Sequence, residues 1–275
     1  MTRAAQTPEA LLRALGAGQG KVLPIAEAAL AYAALARPGL DLTFYRAHLA
    51  VLARAVGALA AEGPEARAAV LAQVLGRQFN YRGDTEHYDD LDNADLTRVI
   101  DRQRGLPVAL GILYIATARE QGWRAAGLNF PGHFLIALGE GGDRMILDPF
   151  DRGAVCEPAR LEALLRSAEG EAAELRPEHC RAVDDRDVVL RLENNIKLRL
   201  LQANRNAEAL ALVERMLLLA PDYAVLWSEL AQLNALEGRM NAAIGAAEAA
   251  IGHAATAGQR EQAAGLLRRF RARLN

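Results

Sequence analysis

His133 and Asp148 flank a glycine-rich reversal in "NFPGHFLIALGEGGDRMILDPF", residues 129–150. The patterning predicts three short strands, at about 123–129, 133–138 and 143–148, and "GEGG" supplies the glycines of a tight turn. A turn symmetric about Glu140 and Gly141 sets His133 directly opposite Asp148. Opposed side chains share a face of the sheet, with Cβ atoms roughly 4.5 to 5.5 Å apart. A one-residue bulge would send them to opposite faces. A carboxylate beside an imidazole fixes its tautomer and favours its charged form. That is the orienting half of a nucleophile–histidine–aspartate system. It is also the signature of a histidine satisfied structurally by a neighbouring acid, and geometry alone favours that structural reading.

Other reactive groups are few. Cys156 and Cys180 are too few for a disulfide framework and match no zinc spacing. The five histidines are scattered, without HExxH. The acidic loop "YRGDTEHYDDLDNAD" invites a calcium reading, but glycine at position six and glutamate at twelve are missing in register. No metal and no cofactor are therefore expected. The net charge of -2 gives no basic field for nucleic acid. The arginines of "LLRRFRARLN" read as a solvated helix face. No apolar run reaches 18 residues, and "VLPIAEAALAYAALA" is interrupted by Pro24 and Glu27, so it reads as a buried helix rather than a leader or a span. The expectation is a cytoplasmic protein with no membrane partner.

Helices must position the pair. Residues 1 to about 79 are rich in alanine and leucine at helical spacing, with breaks at Pro38-Gly39 and Gly63-Pro64. Asp92 or Asn93 is placed to cap a short helix that Gly105 ends. Pro107 suits the first turn of the next helix, which runs through "VALGILYIATAREQ" to Gly122. Apolar nearly all round, it is expected to be the buried central helix, with Thr117 inside it. Pro131 and Gly132 shape the approach to the histidine strand, and Arg104 is placed to pair with Asp89, Asp90 or Asp148. A short helix around 158–168 leads out of this domain.

From about 188 the pattern is helical and repeats. Trp227, Leu230 and Ala231 fall in one helix, Ala243 and Ala250 in the next, and Ala209 and Met216 stand one repeat earlier. This resembles the tetratricopeptide repeat, fairly over 224–257 and degenerately over 190–223, where Glu193 replaces the aromatic. A last helix, 258–274, would cap the stack.

A longer resemblance spans nearly the whole chain. "FNYRGDTEHYDDLDNADLTRVIDRQRGLPVALGILYIATAREQGW", then "NFPGHFLIAL" and "MILDPF", resemble the SirB-type transglutaminase-like family, with "RGLP", "PGHF" and "LDPF" the most specific pieces. The resemblance implies an α+β fold: a helix-rich transglutaminase-like (papain-like) core with a small antiparallel sheet, over 1–183 with its N-terminal helices, then an all-α tetratricopeptide-like region over 184–275. It also implies a catalytic cysteine at the N-terminus of the central helix, a histidine matching His133 and an aspartate matching Asp148. The helix tip departs from that pattern, because Gly105, Leu106, Pro107, Val108 and Ala109 carry neither sulfur nor hydroxyl. Without a nucleophile, turnover in a triad falls on the order of a million-fold.

The expected function is a non-catalytic binding or scaffold module that keeps a vestigial His133–Asp148 pair. Its partner would be a protein or peptide met through the helical repeats, with Trp227 and Tyr223 as possible contacts. The alternative is a cysteine-type hydrolase or acyl transferase with a displaced nucleophile, Cys156 first.

Overall fold

The structure, a computed structural model, describes residues 7–18, 20 and 22–274. Residues 1–6 of the expected N-terminal helical region and Asn275 of the basic tail lie outside them. In chain order come α1 (Pro8–Ala17), α2 (Ile25–Ala36), α3 (Thr43–Gly57) and α4 (Gly63–Leu71), which runs into a π-helical stretch at Ala72–Gln78. Then follow β1 (Arg82–Gly83), α5 (Leu96–Arg102), β2 (Arg104–Gly105), α6 (Pro107–Glu120), β3 (Ala125–Gly127), β4 (Ile136–Leu138), β5 (Met145–Asp148), β6 (Ala154–Val155) and α7 (Pro158–Glu169). Helices complete the chain: α8 (Asp185–Gln202), α9 (Asn206–Leu219), α10 (Ala224–Leu236), α11 (Met240–Gly252) and α12 (Ala257–Leu274). This is the α+β core and all-α repeat region that the sequence predicts. Among the described residues, no helix is long and apolar enough to cross a membrane.

The chain divides into two compact units. One comprises Gly20–Leu192, and the other joins α1 to the segment from Glu193 onward. In the first, α6 is the central helix because its sequence leaves it no polar face. Pro107 opens it, where the absent N–H costs nothing, and its residues from Pro107 to Ile115 are buried on every side. The sheet order is β3-β4-β5-β6, antiparallel throughout. Alternation along β4 divides its neighbours. Ile136 and the preceding Phe134 lie against α6, so closely that a Cβ on Gly111 would meet the Phe134 ring at 2.3 Å. Leu135 and Ala137 join Leu161 and Leu165 of α7, with Cys156 and Cys180, in a second apolar cluster. The sheet is thus packed between two helices, each filling one face of the pleat.

Two local expectations give way. The cap of α5 is Asp95, whose Oδ1 accepts from Thr97 N at 2.9 Å and Arg98 N at 3.3 Å. Asp92 and Asn93 instead lie in a short 3-10 turn, Leu91–Asn93. Gly105 does not end the helix either, since Gln103 takes the left-handed conformation there at φ 53°. An Asx-type cap and an αL stop were both required, and nearby residues of the right class supplied them.

In the second unit Ala209, Ala231, Ala243 and Ala250 are all fully buried, which is how the repeat helices approach one another. Trp227 donates from Nε1 to the Pro221 carbonyl at 2.7 Å and stacks on His253. Lys197 and Glu229 form a 2.6 Å ion pair with the lysine buried. Helix α1 packs here rather than with the elements that follow it in sequence. A Cβ on Gly16 would stand 2.3 Å from the Leu218 carbonyl oxygen, so only glycine permits this approach to α9.

Candidate functional site

Strands β4 and β5 pair as Ile136↔Leu147, Ala137↔Ile146 and Leu138↔Met145. The centre of the reversal therefore falls between Gly141 and Gly142, one residue later than the symmetric turn predicted. Extended, this ladder sets Asp148 across from Leu135, so His133 is not its direct opposite. It sits two residues further on, ahead of the strand itself. A shift of two preserves the face where a shift of one would not, and the diagonal remains within reach of long side chains. His133 Nε2 lies 2.9 Å from Asp148 Oδ1.

Asp148 is almost fully buried and serves four groups. Besides the imidazole, its Oδ1 accepts from the backbone N–H of Phe150 at 3.0 Å and of Asp151 at 3.3 Å. Its Oδ2 accepts from the Arg160 guanidinium on α7 at 3.1 Å. Burial alone would raise its pKa. The bond and attraction from His133, the bond from Arg160 and the Asp151 N–H outweigh burial and hold the carboxyl below its usual range. Asp148 is therefore a permanent carboxylate that pins the 148–151 turn as well as the ring.

His133 is fixed from its other sides too. Its carbonyl accepts from Arg191 of α8 at 2.9 Å, while that guanidinium lies over the Phe134 ring. Phe150 meets the imidazole edge to face, with centroids 6.0 Å apart. Phe150 in turn rests against Gly83, where a Cβ would come within 2.3 Å of its ring. Gly132, at φ 66°, turns the chain toward His133 beside Ala168 of α7.

Pro107, Val108 and Ala109 form the first turn of α6 and are buried. Cys156 belongs to the apolar cluster beneath α7, with its Sγ 3.9 Å from the Ala154 carbonyl. Burial first, then the charge of Asp148, push its thiol up to about 12 against the opposing pull of Arg160. Burial raises the Cys180 thiol as well. Thr117 is buried in α6. Asn93 is buried and donates from Nδ2 to the His87 carbonyl at 2.6 Å, while its main-chain carbonyl accepts from Leu106 N at 2.9 Å. It thereby holds the approach to α6. Arg104 pairs with Glu86 at 3.0 Å, and not with Asp89, Asp90 or Asp148. Sequence reasoning missed Arg160 and Arg191. Each arrives on a separate helix, and no local pattern marks either one.

A central helix against a short antiparallel sheet, with a histidine before one strand bonded to an aspartate on the next, defines a transglutaminase-like core. Residues 43–194 match the family model of the transglutaminase-like superfamily, and residues 196–268 match that of the tetratricopeptide repeat. A UPF0162 protein of Vibrio cholerae is 32% identical over 203 residues, which cover 73% of this chain and 75% of the relative. A UPF0162 protein of Xylella fastidiosa is 28% identical over 157 residues, 56% of either chain. The F-box only protein 21 of Mus musculus is 33% identical over 78 residues, 28% of this chain and 12% of that one. The chain belongs to the transglutaminase-like superfamily and, within it, to the SirB-like group that includes the UPF0162 proteins.

Proposed function

We propose that this chain acts by binding rather than by covalent catalysis: a transglutaminase-like scaffold joined to tetratricopeptide repeats that take a protein or peptide partner. The reading is carried by the first turn of α6, where Pro107, Val108 and Ala109 offer only buried aliphatic groups at the position of a thiolate. A helix N-terminus lowers a thiol's pKa only when a thiol is there to receive its N–H groups. Cys156 is a poor replacement. With its thiol pushed up to about 12 by burial and the Asp148 charge, the group stays protonated at neutral pH. His133 and Asp148 then serve architecture, the carboxylate being shared between the ring, two backbone donors and Arg160.

The free state of both cysteines supports a reducing compartment, the cytoplasm. The slightly negative net charge supports a partner other than nucleic acid. A thiol-directed probe at mild pH tests the central claim. Cys156 should label as slowly as a sealed thiol, with no change in His133→Ala. Rapid labelling of Cys156 that slows in His133→Ala would overturn the proposal in favour of a cysteine-type hydrolase or acyl transferase.

A further inference from the structure

Phe150, whose ring meets that of His133, also lines an open cavity of about 340 Å³ together with Arg82, Arg104 and Arg152. We infer that this cavity is a binding site for a phosphate monoester, a role separate from the thiol question above.

The arginines are brought together by backbone geometry. Strands β1 and β2 run parallel with Arg82 paired to Arg104, so the two side chains start from one face at adjacent positions. Phe150 lines the same cavity and sits close to the strand only because residue 83 is glycine. Gly83 N donates to the Phe150 carbonyl at 2.8 Å, locking the strand to the 148–153 turn. That turn supplies Arg152, whose φ of 52° is a conformation an arginine rarely takes. Two hydrogen bonds and a contact hold it: Gly153 N to the Asp148 carbonyl at 2.8 Å, Ala154 N to the Asp151 carbonyl at 2.9 Å, and the Arg152 carbonyl packed against Gly76. A strained non-glycine residue held by its surroundings, at the lining of a cavity, points to function.

The charge count is uneven. Two acids, Glu86 and Asp151, share the cavity with three arginines. Both acids are already engaged, Glu86 by Arg104 at 3.0 Å and Asp151 by Arg160 at 2.8 Å. Among the described residues, Arg82 and Arg152 have no ion-pair partner; the Arg82 guanidinium donates to the Asn80 carbonyl, at 3.2 Å. Thr85 also lines the cavity. Guanidinium groups arriving from three backbone positions, each with its fork of donors, suit a tetrahedral dianion with three free oxygens better than a planar carboxylate. The remaining volume leaves room for the ester's organic group.

Calorimetric titration at fixed ionic strength tests this, using inorganic phosphate, O-phosphoserine, a phosphoserine peptide and the same peptide without phosphate. The expected result is saturable binding of at least one phosphorylated probe and none of the unmodified peptide. A preference for O-phosphoserine over the peptide marks a free metabolite as the source, and the reverse marks a modified chain. Arg82→Gln with Arg152→Gln should weaken binding about a hundredfold, roughly tenfold for each charge-assisted contact. Glu86→Gln releases Arg104 and should tighten binding several-fold, a change of sign that misfolding does not produce. No saturable binding up to about 10 mM, or affinity unchanged in both the double variant and Glu86→Gln, overturns the assignment.

Discussion

Asp148→Ala is the perturbation that most directly weighs the buried carboxylate. It removes the acceptor of two backbone N–H groups, an imidazole and a guanidinium at a site only 2% exposed. Each backbone donor left unpaired costs about 1 kcal/mol or more, and the imidazole a similar amount. Arg160 is partly exposed and keeps Asp151, so its share is discounted to below about 1 kcal/mol. The expected loss is about 3 to 4 kcal/mol. Two tryptophans make the assay clean, since Trp123 belongs to the first unit and Trp227 to the second. In a Trp227→Phe background, urea unfolding followed by Trp123 fluorescence reports the first unit alone. The acid dependence carries a sign. The folded Asp148 pKa lies below its ordinary 3.8, so the stabilisation is complete above about 3.8 and is lost as pH falls through the folded value. The gap between wild type and variant should therefore close on acidification. A gap under about 1 kcal/mol at pH 7, or one that widens in acid, would refute the reasoning.

Three further perturbations follow from the same contacts. Gly83→Ala places a methyl within 2.3 Å of the Phe150 ring; it should cost about 1 to 3 kcal/mol and shift the His133 ring resonances, which stay put if Phe150 does not support the imidazole. Glu229→Ala strands the buried Lys197 and should cost about 3 to 5 kcal/mol in the second unit by Trp227 fluorescence. Lys197→Met with Glu229→Leu should restore most of that, because an apolar pair has no charge to desolvate. Gly16→Ala drives a methyl into the Leu218 carbonyl and should release α1, read as faster proteolysis near residue 18 with α9–α12 still protected.

Much of the fold was legible because its signals are periodic. An all-apolar run behind Pro107 names a buried helix, and the repeated alanines name close-packed helix pairs. The hairpin was legible in its parity but not in its centre. Two consecutive glycines, Gly141 and Gly142, let the reversal fall one residue late, and the face of His133 survived only because a one-residue shift of the centre moves the pairing by two. Arg160, Arg191 and the Phe150–Gly83 contact were invisible because each joins segments far apart in sequence, with no spacing rule between them. The partner of Arg104 went astray for a related reason: several acids crowd one loop, and the backbone path decides among them.

The contact of α1 with α9 has a consequence for synthesis. At roughly 5 to 20 residues per second, Leu218 follows Gly16 out of the ribosome by roughly 10 to 40 seconds. Through that interval the apolar stripe of the early helix has no mate, while the intervening sequence is free to fold on its own. A nascent chain of this kind offers chaperones a defined window, one that closes when the late helix arrives to cover it.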